Sequence, residues 1–422
     1  MAVSIPSATE QISYADLYAR WERGNWCATE IDFGQDRIDW HTRLTPQQRR
    51  GALWLYALFF HGEDSVADNL SPYIDAAPLE EQKYFLATQQ VDEARHAVFF
   101  KRFLHEVVGV GDGGLATGLG ASEDQLTWGH RQVFGRLDRM ADELRADRSP
   151  RKLAQAVALY HIVVEATLAQ PGQHMIESSL EALDLLPGFR EGMRSVALDE
   201  QRHIGFGVKL LADLYRADPP GIQDAIIDAI RDVLPAMIAV AIPPGWDRSY
   251  TESFGFTLED LYEEAARSQE VKLRAIGLPM DDIAHFPLPM EVSPRERVRR
   301  GMMLLRGGML GPPDGPPTRD PETVAIFLDT IRRQARGEEV APGTTIQFQF
   351  PDHEPWYLRL DGRVKEAVQG RLERPTLRLR LRFDDFVDVA AKRTDPRLLM
   401  LRGRLRARGS LRLLARLQRL FD

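Results

Sequence analysis

Through most of residues 10–275, apolar positions recur every three or four residues, separated by charged and polar ones. That is the period of helices that bury one face. Thr45-Pro46 opens one helix, with proline in its first turn, which passes through Trp54 to Phe60 and ends near 75. A second covers about 79–108 and stops at Gly109 and the glycine-rich 111–114. A third is expected at about 122–147. A fourth follows Ser149-Pro150 and covers about 152–183, and a fifth follows Pro187-Gly188 and covers about 189–215. Two more are expected at about 221–240 and 257–275. Long helices with few interior breakers pack as bundles.

The texture then changes. Residues 307–321 are mostly glycine and proline and read as a linker. The preceding stretch, from about 276, reads as an ordered tail of the bundle. After the linker the pattern predicts a helix at 322–336 and strands at 345–350, 356–360, 364–370 and 377–383. The last of these alternates strictly, so it has one apolar face. Short helices are expected at 384–392 and 410–421. The expected organisation is mostly α: a bundle over 1–300, a linker over 301–321 and a smaller α+β domain over 322–422.

Charge sharpens that division. The 422 residues carry a formal −8, but residues 351–422 hold 18 Lys/Arg against 10 Asp/Glu, a local +8 that leaves −16 for the rest. A basic part of this kind either meets an anionic partner, nucleic acid or a membrane surface, or is a solvated face. The same two readings apply to the arginines along 377–383. The solvated face is the commoner case, and no nucleic-acid partner is expected. A single cysteine, Cys27, excludes an intrachain disulfide and suits a reducing cytoplasm. The start, Met-Ala-Val-Ser-Ile-Pro, shows no signal peptide pattern. No apolar run approaches the ~20 residues of a membrane span.

The chemistry lies in a repeat. Asp92-Glu93-Ala94-Arg95-His96 recurs as Asp199-Glu200-Gln201-Arg202-His203. Glu and His three apart on a helix are separated by about 4.5 Å of rise and about 60° of rotation, so both leave one face. The helix before each copy offers one further glutamate, Glu63 and Glu165. These lie 30 residues before Glu93 and 35 before Glu200, enough to run up one helix and back to the same level on the next. Two Glu and two Glu-x-x-His are the parts of a carboxylate-bridged di-metal site. Carboxylates suit iron and manganese, and one imidazole per metal leaves positions open. Asp92 and Asp199 are placed to accept the outer N–H of a ligand histidine. His161, four residues before Glu165, is a candidate for the same outer role. His61, His105, His130 and His174 read as surface or core residues.

With these motifs, residues 20–275 resemble the ferritin-like superfamily, specifically the ribonucleotide reductase small subunit and its ligand-binding oxidase relatives. The matching segments are Ile31–Asp36, Gly62–Val66, Asp92–His96, Tyr160–Glu165 and Asp199–His203. The resemblance implies a Mn/Fe or Fe/Fe pair, with Glu63, Glu93 and His96 on one metal and Glu165, Glu200 and His203 on the other. It also implies dioxygen as oxidant and a long-chain fatty acid near the metals. In the oxidases a valine and a tyrosine become joined as an ether, and the matching positions are Val66 and Tyr160. Reductase subunits usually carry a radical tyrosine where this chain has Phe100, and they end in a flexible tail where this chain has a domain. That domain resembles the sterol-carrier-protein type-two family over 383–421, through Asp384-Asp385-Phe386, Asp395-Pro396, Met400, Gly403-Arg404-Leu405 and Gly409. A lipid ligand is implied, as is a homodimer through the bundle. A radical-generating reductase subunit and a non-enzymatic lipid carrier with a metal-storage bundle are the alternatives.

Overall fold

The computed structural model describes residues 12–283, 285–312 and 315–421. The opening Met-Ala-Val-Ser-Ile-Pro and Pro313-Asp314 of the expected linker lie outside the described residues. The chain divides into two compact units, Met1–Met280 and Asp281–Asp422. The division falls at 280/281 rather than at the expected 300/301. The reason is that helix Pro294–Arg306 packs on helix Pro321–Gln334 and so belongs with the second unit.

Four long helices build the core of the first unit: α1 (Pro46–Asn69), α2 (Glu80–Phe103), α3 (Pro150–Leu183) and α4 (Pro187–Ala217). α1 starts with a reciprocal cap: the Thr45 hydroxyl accepts the Gln48 N–H, and the Gln48 side chain accepts the Thr45 N–H. Two orphan donors are thereby satisfied ahead of Pro46. α4 is capped from outside. The Asp36 carboxylate accepts the N–H groups of Gly188 and Phe189 at 2.9 and 2.7 Å. A Cβ at position 188 would lie 2.2 Å from the Asp32 carbonyl oxygen, so this close approach requires glycine. The segment around Asp36 thus fixes the start of the helix that carries the second pentapeptide. α1 packs along α2 and α3 along α4, and the core between them is rich in buried phenylalanine, including Phe60, Phe99, Phe103 and Phe189.

α3 is not uniform. Pro150–Val157 and Gln170–Leu183 are α-helical, but Ala158–Ala169 is π-helical. The wider turn re-aims successive side chains, and such segments concentrate at functional sites. This one contains Tyr160, His161 and Glu165. By length and composition α3 could cross a membrane, but 78% of its most apolar window is buried inside the fold. Its hydropathy is that of a core helix.

The second unit holds a five-stranded sheet of order β3-β2-β1-β4-β5, with β1 (Thr344–Gln349), β2 (Trp356–Asp361), β3 (Val364–Gln369), β4 (Leu377–Arg380) and β5 (Arg406–Gly409). β1 and β4 are parallel and the other pairs antiparallel. Ile346, Phe348, Leu358, Leu377 and Leu379 form one buried face. Phe348 packs on Phe386 of helix Phe383–Ala390 with ring centroids 4.7 Å apart. The strand expected through 383 ends at Arg380. There the Asp352 carboxylate accepts the Phe383 N–H and starts a helix instead. β5 was not foreseen, because Arg-Ala-Arg-Gly offers one small inward residue and no apolar alternation.

Candidate metal centre

The four core helices bring Glu63, Glu93, His96, Glu165, Glu200 and His203 together, all buried. Ligating atoms of Glu63, Glu93, His96 and Glu200 lie within 4.8 Å of one another, as do those of Glu93, Glu165 and His203. Glu93 belongs to both groups. Glu200 also reaches both sides, with one oxygen 3.7 Å from His96 Nδ1 and the other 3.9 Å from His203 Nδ1. Glu63 Oε2 lies 3.2 Å from His96 Nδ1, and Glu165 Oε1 3.7 Å from His203 Nδ1. The two central carboxylates therefore lie between two imidazoles, and one terminal carboxylate flanks each.

The outer nitrogens of the two histidines meet the two aspartates. His96 Nε2 is 3.1 Å from Asp199 Oδ2, and His203 Nε2 is 3.1 Å from Asp92 Oδ2. Each pentapeptide orients the histidine of the other. The aspartates are held in turn. The Trp21 indole donates to Asp92 at 2.9 Å and the Trp26 indole to Asp199 at 2.8 Å. Arg202 donates to both aspartates, and Arg95 donates to Asp92 and lies 3.6 Å from Asp199. A bonded carboxylate behind each imidazole fixes its orientation and leaves Nδ1 aimed at the carboxylate cluster.

Tyr160 and His161 join this network through a residue the sequence reading did not single out. Gln89, fully buried, donates to Glu165 Oε1 at 2.7 Å and to the Tyr160 oxygen at 3.1 Å, while its own oxygen meets His161 Nε2 at 3.2 Å. Tyr160 donates to Glu93 Oε1 at 2.8 Å. His161 thus bonds Gln89 and packs on Tyr160, with ring centroids 4.6 Å apart. The one signal for Gln89 was its place four residues before Glu93, on the same helical face. Val66 and Glu63 both line an apolar cavity. Leu55, Phe59, Val164 and Leu261 line it further, and so do Glu93, Glu165 and Glu200. His130, expected to be an ordinary core or surface residue, also lines this cavity.

The electrostatics fit a cation pair. Burial raises Glu165 and Glu200 well above the carboxylate range, and the neighbouring carboxylates add to it. Burial likewise pushes Glu63 up to about 7. Burial opposes ionisation of Glu93 as well, but His203 and His96 outweigh it and hold Glu93 low. Burial pulls both imidazoles down, yet Glu63, Asp199 and Glu93 hold His96 well above its usual value, and Glu93, Glu165 and Glu200 raise His203. Glu165 Oε2, Glu200 Oε2 and His203 Nδ1 are buried without a hydrogen-bond partner. Unpaired buried lone pairs are costly. Four carboxylates and two imidazoles presenting such atoms are a donor set that fits two hard or borderline divalent ions.

Two family models match this chain. Residues 9–242 match the family model of the ribonucleotide reductase small chain, and residues 330–422 that of the SCP-2 sterol transfer family. Among solved structures, one similar protein is a point variant of an R2-like ligand-binding oxidase with anaerobically reconstituted Mn/Fe cofactor. It is 25% identical, with a TM-score of 0.55 over 63% of this chain and 94% of that one. A second variant with the same cofactor is 26% identical, with a TM-score of 0.54 over the same shares. The R2-like ligand-binding oxidase from Sulfolobus acidocaldarius is 25% identical, with a TM-score of 0.53 over 64% of this chain and 94% of that one.

Proposed function

This chain belongs to the ribonucleotide reductase small chain family, and from that premise we propose that it is a dioxygen-activating di-metal oxidase acting on a long apolar substrate, a fatty acid or acyl chain. The observation that carries the proposal is an apolar cavity whose lining includes all four glutamates. A substrate there meets both hydrocarbon and the metal-binding groups.

Glu63, Glu93, Glu165, Glu200, His96 and His203 would hold a Mn/Fe or Fe/Fe pair. When bound, such a pair supplies the electrons that reduce dioxygen and the positive charge that polarises it. The protein's part is positional. Asp92 and Asp199 keep the imidazoles aimed inward, Gln89 fixes Glu165, and the cavity walls exclude water. Tyr160 donates a hydrogen bond to Glu93 at 2.8 Å, which holds its phenol beside the carboxylates. Joining the Tyr160 oxygen to a Val66 carbon removes one hydrogen from each residue, and the two electrons released go to dioxygen. Val66 and Tyr160 are both buried in this bundle.

Residues 322–422 serve as a lipid-binding module that raises the local concentration of substrate by tethering. The cytoplasm is the proposed compartment, and a homodimer through the bundle is the proposed assembly. A reductase-like radical generator is less well supported. Four residues after His96 stands Phe100, buried against Phe59, and no phenol occupies that position. Protein loaded anaerobically with manganese and iron should hold two metal ions per chain and consume dioxygen when air is admitted. Organic extraction should recover bound lipid. Metal-free protein, or loaded protein inert to dioxygen, contradicts the oxidase; lipid-free protein contradicts the module.

A further inference from the structure

Exposed arginines of the second unit, with an exposed apolar helix just before them in the chain, play no part in the proposed oxidase chemistry. The antiparallel register of β4 and β5 sets Arg378 opposite Arg408 and Arg380 opposite Arg406. Like charges facing each other across a strand pair are destabilising, so folding alone does not favour them. Arg380, Arg406 and Arg408 are exposed, and none has an ion-pair partner among the described residues; the same holds for Arg402 and Arg412. From 396 to 416 the chain has seven arginines and no acidic residue.

The residues just before β5 add a second kind of chemistry. In helix Pro396–Leu401, Leu399 is buried, but Leu398, Met400 and Leu401 are 47, 40 and 84% exposed. Single exposed leucines are ordinary. Three large apolar side chains within four residues, followed at once by unpaired arginines, are the composition of a segment seated at a lipid–water interface.

We propose that this surface docks the protein on an anionic bilayer. Arg380, Arg402, Arg406 and Arg408 face lipid phosphates, and Leu398, Met400 and Leu401 enter the headgroup–acyl boundary. Nucleic acid would engage the arginines but leave the three apolar side chains without a partner. Docking there would place the lipid module at a source of lipid, whatever the bundle then does with it.

The test is vesicle flotation of the full chain. Vesicles of phosphatidylcholine mixed with phosphatidylglycerol should bind it about tenfold or more tightly than phosphatidylcholine alone, and added salt should weaken that binding. The double reversal Arg406→Glu/Arg408→Glu should remove most of the preference. Arg406→Lys/Arg408→Lys, which keeps the charge, should retain it and controls for folding. Leu401→Ser should weaken binding without changing its salt dependence. Equal binding to both vesicle types, no binding to either, or a reversal variant that still prefers anionic vesicles overturns the proposal. Tighter binding of duplex DNA than of vesicles at the same ionic strength overturns it too.

Discussion

The two helix pairs of the bundle carry the same ligand motif but differ one turn away from it. In α1 and α2, Phe59 lies four residues before Glu63 and Phe100 four residues after His96. Their rings stack with centroids 5.7 Å apart and planes 9° apart. In α3 and α4 the equivalent positions are His161 and Gly207. A Cβ at Gly207 would lie 2.3 Å from the His161 Cβ, so the glycine exists to admit the imidazole. Burial lowers His161 to about 3, which keeps it neutral beside Gln89. Phe59 of the first pair lines the cavity, and so do Val164 and Leu168 of the second. The second pair, wound partly as a π-helix, adds Tyr160 and His161, which hydrogen-bond Glu93 and Gln89 of the first. The repeat supplies the metal-binding groups, and the departures from it supply the phenol and imidazole bonded beside them.

The symmetric part of that comparison predicts the largest effects. His96→Ala and His203→Ala should each reduce bound metal from two ions per chain to about one or fewer, read by elemental analysis. Full occupancy in both variants breaks the assignment. Next come the aspartates, whose partners are exchanged between the halves. Asp92→Asn should weaken the His203 side and Asp199→Asn the His96 side, each by roughly 10–100-fold in metal affinity. If each substitution instead disturbs the histidine of its own pentapeptide in paramagnetic spectra, the crossed arrangement is wrong.

Metal affinity should also rise with pH. His96, His203, Glu165 and Glu200 are all raised in the metal-free protein, so they carry protons that the metals must displace. Affinity should fall by about tenfold per pH unit for each proton displaced as pH drops below the raised values. A pH-independent affinity in competition titrations contradicts the buried, protonated site. The smallest effect tests the asymmetric part. Gly207→Ala should cost about 1–3 kcal/mol of stability in chemical denaturation, because its Cβ would meet the His161 Cβ at 2.3 Å. The pseudo-equivalent Phe100→Leu should cost about 1 kcal/mol through lost stacking alone. A Gly207→Ala variant as stable as the unaltered protein would contradict the close packing of position 207 on His161.

Much of this was legible in the sequence, for physical reasons. The pentapeptide is long and repeated, so chance is a poor explanation, and antiparallel helix lengths fix where its partner glutamates must stand. Helix ends were legible where caps mark them, as at Thr45-Pro46 and Ser149-Pro150. The π segment was not, because a 3.6-residue period is assumed in reading any helix. Gln89 was not, because one amide on an amphipathic helix carries no signature until its three partners are known. Strand 377–383 was drawn too long because alternation continues past Arg380, whereas Asp352, distant in sequence, ends it by capping Phe383.

The central claim is that the metals and dioxygen act on carbon beside Glu63. It is tested most directly by tryptic mass spectrometry of protein loaded anaerobically with manganese and iron and then exposed to air. A covalent species joining the Val66 and Tyr160 peptides, lighter than their sum by two hydrogens and absent before aeration, is the predicted result. Fully loaded protein that consumes dioxygen yet yields only the separate peptides would contradict it.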